Sequence, residues 1–277
     1  MERREARRRL IVNADDFGAS GSINEAVERA HQEGILTTAS LMVNGEAAGE
    51  AVELARQNPR LGVGLHLTLV CGAAALPPAD IPNLVDERGR FSNHPVASGF
   101  RFFARPGLRS QLECEIGAQF EKFRTTGLKL DHVNGHLHFH LHPAVLAILM
   151  RRASEWGVTH LRLTRDFFWL NLRVAPGHLF YRLSHAAVFN LLAARARPAL
   201  DRLGVKHTFA VFGLLQDSRV DESYVMGLLP RLPLGVSELY SHPSLAESRH
   251  EFDALISPKV KALLEQHGIQ RIRYQDL

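Results

Sequence analysis

Short apolar runs rich in β-branched residues alternate along this chain with stretches of helical period. The runs predict strands over residues 9–15, 38–44, 63–69, 129–136, 160–165, 207–212 and 236–242, with 272–275 as a candidate eighth. Between them, helices are predicted from a capping box at 22–25 to about Gly34, and over 46–57, 108–125 and 143–156. A last helix over 258–267 has proline at its start and Gly268 just past its end. Seven or eight strands, each followed by helical sequence, predict an α/β fold: a parallel, TIM-barrel-like (β/α) barrel. All 277 residues are read as one barrel domain. Two stretches interrupt it: a loop-rich insertion over about 71–107 and an apolar, basic insertion over about 167–200 that contains no Asp or Glu.

The polar residues fall at one end of this frame. Asn13, Asp15 and Asp16 end the first strand, Asn44 the second, and His66 lies on the third. Asn134, His136, His138 and His140 follow the fourth, Arg162 and Arg165 the fifth, and Glu238 and His242 the last long strand. Barrel enzymes build their sites at the C-terminal ends of strands, where the βα loops converge. A purely structural set would scatter over both ends.

Individually the signals differ. Two adjacent carboxylates leaving a strand point in different directions, so one can bind a cation while the other acts as a base. A turn with a nearby helix cap would use the same residues. Alternate positions of an extended strand share a face, so His136, His138 and His140 are expected to point one way. Two imidazoles at that spacing can share an ion. His66 alone is an ordinary core histidine, but its position aligns it with Asp16 and His136. One carboxylate with two histidines suits Zn²⁺ and harder divalent ions, with places left for water and substrate. Glu238 and His242 share a face by period two.

Composition narrows the classes. The net charge is +4, and no RNA- or DNA-binding motif interleaves aromatic with basic residues, which argues against nucleic acid. Cys71 and Cys114 form no CxxC pair and read as core thiols of a reducing compartment. The N-terminal MERREARRRL is basic, with no apolar run of roughly 7–15 residues behind it as a secretory signal requires. It reads as a solvated arm, with contact to anionic lipid as the alternative. No run approaches the roughly 18 apolar residues of a spanning helix. A cytoplasmic protein is expected, touching a membrane at most peripherally at its inner face. Oligomeric state is left open.

The stretches LIVNADDFG (10–18), GLHL (64–67), HVNGHLHFH (132–140), LRLTR (161–165) and SELYSHP (237–243) occur in an order that resembles the YdjC/ChbG-type carbohydrate deacetylases, most of all their hopanoid-biosynthesis (HpnK-like) branch. The resemblance implies a metal-dependent hydrolase that removes the N-acetyl group of an amino sugar, one divalent ion (Mg²⁺ or Zn²⁺), and a barrel fold. Carried over by position, Asp16, His66 and His136 are the metal ligands, Asp15 the base and His242 the acid, with His138 able to share either role. The branch implies an N-acetylglucosaminyl hopanoid, a glycolipid, as substrate. Asn134 stands where the family commonly has Asp, which removes a carboxylate expected behind His136, and Ser244 stands where Gly often follows His-Pro. A glycosidase, a phosphodiesterase and a non-catalytic sugar- or lipid-binding barrel are the alternatives. An adjacent Asp15/Asp16 pair serves catalysis better than it serves binding alone.

Overall fold

The computed structural model describes residues 7–277, so most of the basic N-terminal arm lies outside the described residues. Seven parallel strands form one sheet: β1 (Arg8–Phe17), β2 (Thr38–Leu41), β3 (Gly62–Leu67), β4 (Leu130–Gly135), β5 (Ala210–Phe212), β6 (Gly235–Ser241) and β7 (Gln270–Arg271). Their order is β4-β3-β2-β1-β6-β5, with β7 beside the start of β1. The predicted fifth strand is irregular and closes the ring between β4 and β5. Arg162 N–H donates to Val133 O, Leu161 N–H to Lys206 O, and Val211 N–H to Arg165 O. It splits its rungs between two neighbours, so it forms isolated bridges rather than a ladder. The predicted eighth strand is displaced: β7 occupies 270–271, and Tyr274–Asp276 is a 3-10 turn.

Ten helices cover the outside of the described chain: α1 (Gly21–Gln32), α2 (Ala48–Gln57), α3 (Pro95–Ala104), α4 (Arg109–Thr125), α5 (Pro143–Arg152), α6 (Phe168–Val174), α7 (Leu179–Leu203), α8 (Glu222–Leu228), α9 (Arg249–Ile256) and α10 (Pro258–Gln266). The cap of α1 is Ser20, whose hydroxyl accepts from Ile23 N–H, and not the Ser22 of the apparent capping box. The 71–107 stretch is therefore not all loop, since α3 lies within it. The 167–200 stretch forms α6 and most of α7.

The barrel interior carries a polar layer that small residues make room for. A Cβ on Gly64 would stand 2.5 Å from the His132 ring, and one on Gly62 2.8 Å from the Asp131 carboxyl group. His132 hydrogen-bonds Ser40 Oγ at 2.9 Å and stacks on Tyr274 with ring centroids 4.5 Å apart. Around this layer, helices and strands share one apolar core, in which Leu10, Val12, Leu41, Leu65 and Phe252 are fully buried.

Candidate active site

The end of β1 separates the two aspartates. Register against β2 shifts between Ala14 and Phe17, and Asp16 adopts a left-handed φ of 63°. Asp tolerates that conformation better than most residues. The kink sends Asp15 into the barrel and Asp16 toward the open end.

His66 from β3 and His136, just past β4, converge on Asp16. His66 Nε2 lies 3.2 Å and His136 Nδ1 3.0 Å from the same oxygen, Asp16 Oδ1. The candidate ligand atoms of the three residues all lie within 4.8 Å of one another. Asn134 fixes which His66 nitrogen carries the proton. Its amide NH₂ donates to Asp15 Oδ1 and Ser40 Oγ, so its oxygen faces His66 Nδ1 at 2.6 Å and accepts from it. In the neutral ring, Nε2 then presents a lone pair to a carboxylate oxygen. Two nitrogens and a carboxylate crowded in this way fit a cation with bonds of roughly 2.0–2.2 Å. Burial works against charge on His136, but the hydrogen bond and charge of Asp16 outweigh it and raise its pKa. Burial likewise opposes ionisation of Asp16, but the imidazoles beside it, His136 first through its hydrogen bond, hold it well below the usual carboxylate range.

Asp15 is held from behind. Arg162 donates to both of its oxygens, at 2.6 and 3.0 Å, and Asn13 and Asn134 donate to Oδ1 at 2.8 and 2.9 Å. Burial alone would push its pKa up, but the Arg162 charge reverses this and keeps Asp15 ionised far below the normal range. Arg162 is itself fully buried, lies over the Tyr240 ring at 4.4 Å, and donates twice to Glu238 Oε1. Glu238 also accepts from the Tyr274 hydroxyl. Glu238 therefore sits one layer below the mouth, as a support for Arg162.

The histidine run does not behave as a strand. β4 ends at Gly135, and Leu137 and His138 take left-handed φ values of 50° and 59°. His136, His138 and His140 consequently face three different environments. His138 bonds the Tyr240 hydroxyl at 2.9 Å, and burial keeps its pKa well below normal. His140 Nε2 donates to the Arg162 carbonyl, with its pKa pushed down to about 3 by burial. Neither joins Asp16. Asn134 likewise backs His66, not His136. Arg165 is not brought to the site either. It points outward, with its guanidinium 5.2 and 5.1 Å from the Phe167 and Phe209 rings. His242, at the end of β6, lines the same cavity of ≈ 400 Å³ as Asp15, His66 and His136. Sequence reasoning misses Ser40, Tyr240 and Tyr274. Tyr240 is accessible to the period-two reading that links Glu238 with His242, whereas nothing marks Ser40 or Tyr274.

The YdjC-like protein family model matches residues 9–266. The chain belongs to the YdjC-like family. Of its similar relatives, one from Geobacillus stearothermophilus named carbohydrate deacetylase is 41% identical over 97% of this chain and 98% of the relative. A mouse protein of the same name is 31% identical over 97% and 94%. A third, from Brevibacillus brevis, is 42% identical, but the match covers only 54% of this chain and 57% of the relative. The YdjC-like fold also matches a crystal structure from Enterococcus faecalis, of a protein named for cellobiose-phosphate cleavage. Its TM-score is 0.75 at 22% identity, over 98% of each chain.

Proposed function

We propose that this chain is a metal-dependent deacetylase that hydrolyses the N-acetyl group of an amino sugar. The observation that carries this reading is the convergence of two imidazole nitrogens on one Asp16 oxygen, next to a buried, ionised Asp15. The relatives named carbohydrate deacetylase support it. Asp16, His66 and His136 would hold the ion, Mg²⁺ or Zn²⁺. When bound, such an ion acidifies water and polarises the acetamide carbonyl.

The protein groups divide the remaining work. Asp15, aimed by Arg162 and Asn134, takes a proton from the attacking water. Held so strongly ionised, it is a weak base and suits a water that is already acidified. His242 faces the same cavity from β6 and donates a proton to the leaving amine. The amide C–N bond breaks, and acetate and a free amino sugar leave. His138, neutral through burial, shapes the wall with Tyr240. A glycosidase would need two carboxylates flanking the bond, roughly 5–9.5 Å apart. The Glu238 carboxylate is instead sealed beneath Arg162.

The acceptor on this reading is a glycolipid, an N-acetylglucosaminyl hopanoid, met at the inner face of a membrane by a cytoplasmic protein. Two helices support this. The outward stripe of α7 is apolar, with Phe180, Leu183 and Leu191 exposed, and that of α3 carries exposed Val96, Phe100 and Phe103. Both helices border the cavity, through Tyr181 and Val96. No helix of the described residues is long and apolar enough to cross a membrane, so contact through these helices would be peripheral. Acetate release from N-acetylated chitobiose and from the glycolipid, with and without chelator, tests the proposal. Turnover indifferent to chelator would overturn the metal role, and no acetate from either substrate would overturn the activity.

A further inference from the structure

A second cavity, of ≈ 1030 Å³, lies between α6, the C-terminal half of α7 and the approach to β5, and shares no lining residue with the catalytic one. Its walls are aromatic, including Phe167, Trp169 and Phe209. Its charges are almost all of one sign, with Arg165, Arg173, Arg197 and Arg231 in the lining. Only Arg197 has a carboxylate partner, Asp201 at 3.6 Å, among the described residues. The one acid in the lining, Asp166, is already occupied by Phe167 N–H, Leu215 N–H and the Asn171 amide. Thr208 also lines the cavity. It is 1% exposed, and its hydroxyl has no hydrogen-bond partner among the described residues. Thr208 directly precedes Phe209, whose ring lies against the Arg165 guanidinium.

Buried hydroxyls are normally partnered, and guanidiniums normally find acids when acids are at hand. A cavity that leaves both free beside aromatic walls suits a ligand with one anionic head and an apolar body. We propose that it binds an anionic amphiphile, with a carboxylate or phosphate head taken by Arg165 and the Thr208 hydroxyl and an acyl or ring body laid against Phe167, Phe209 and Trp169. This site is independent of the deacetylase reading.

Trp169 is 72% exposed and reports on the cavity, while the other tryptophan, Trp156, stacks on Phe120 in a different part of the fold. In a Trp156→Phe background, titration with laurate, dodecyl phosphate and dodecanol is followed by tryptophan emission. Both anions should give a saturable blue shift, with dodecanol at least about 10-fold weaker. The tighter of the two anions then names the head group. Arg165→Gln and Thr208→Val should each weaken the anions about 10-fold. Neither change removes a side-chain hydrogen bond from the fold, so both variants should stay folded with acetate release unchanged. No saturable response to either anion, dodecanol binding as tightly as laurate, or both variants binding like the parent would each overturn the proposal. Acetate release measured in the same samples distinguishes such a failure from a failure of the catalytic reading.

Discussion

Arg162 grips Asp15 through two guanidinium nitrogens, and with the same side chain it holds Glu238, in a place where all three groups are buried. One cation thus balances two carboxylates inside the barrel. Arg162→Met should leave both carboxylates buried without a countercharge and cost on the order of 3–5 kcal/mol. Urea denaturation measures it, and a loss below about 1 kcal/mol would mean that solvent reaches the pair.

Replacing Asp16, His66 or His136 with Ala should abolish bound metal and turnover together. Asp15→Asn should keep the metal and lower kcat about 10²–10⁴-fold, the range for a general base. Metal analysis by mass spectrometry beside activity separates the two. Metal lost with Asp15 but kept without Asp16 would reverse their roles.

The profile of kcat/KM should carry a basic limb, since the acid must be protonated. Asp15, held ionised far below the usual carboxylate range, adds no acidic limb near neutral pH. His242→Ala should remove the basic limb. His138→Asn should leave that limb in place, because burial and then the Arg162 charge hold His138 neutral. A basic limb that survives in His242→Ala and disappears in His138→Asn would move the acid to His138.

Asp166 gives a pH effect on stability that is unrelated to catalysis. Burial pushes its pKa up to about 7, whereas an aspartate of the unfolded chain titrates near pH ~4. Between these values the folded state holds a proton that the unfolded state has lost. Stability therefore falls as pH rises from about 4 to about 7, and this contribution is flat above. Asp166→Asn should flatten that slope in denaturation curves taken across the range. An unchanged slope would place the titration elsewhere.

Phe180→Ser with Leu183→Ser removes exposed apolar area from α7 without touching the cavity lining. Activity on the glycolipid should fall at least about 10-fold, and that on a short soluble sugar should stay within about 2-fold. Equal losses would remove the membrane from the reading. Phe189 is a poorer choice, because it lines the cavity and packs on His138 at 5.2 Å.

The barrel is legible in the sequence because β1 to β6 each lie in an apolar run, whereas β7 is two exposed polar residues. The convergence of Asp16, His66 and His136 is legible because all three lie at or near strand ends. Parity arguments fail where the backbone leaves the extended region. Left-handed Leu137 and His138 scatter a histidine run whose spacing promises one face. At 160–165 the alternation persists even though the ladder does not. Arg162 and Thr164 point inward, while Leu163 and Arg165 line the outer cavity. Two arginines of one strand end therefore serve different sites. Ser40 and Tyr274 leave no trace, since neither belongs to a motif and their roles arise only from long-range packing.

The Tyr274 hydroxyl, which Glu238 accepts, gives the site a timetable. Asp15 and Arg162 are 147 positions apart, and Tyr274 follows Glu238 by a further 36. During synthesis Asp15 cannot meet Arg162 until residue 162 has left the ribosome, and Glu238 cannot meet Tyr274 until residue 274 follows. The hydrogen-bonded group at the barrel centre is therefore complete only after nearly all of the described residues have been made.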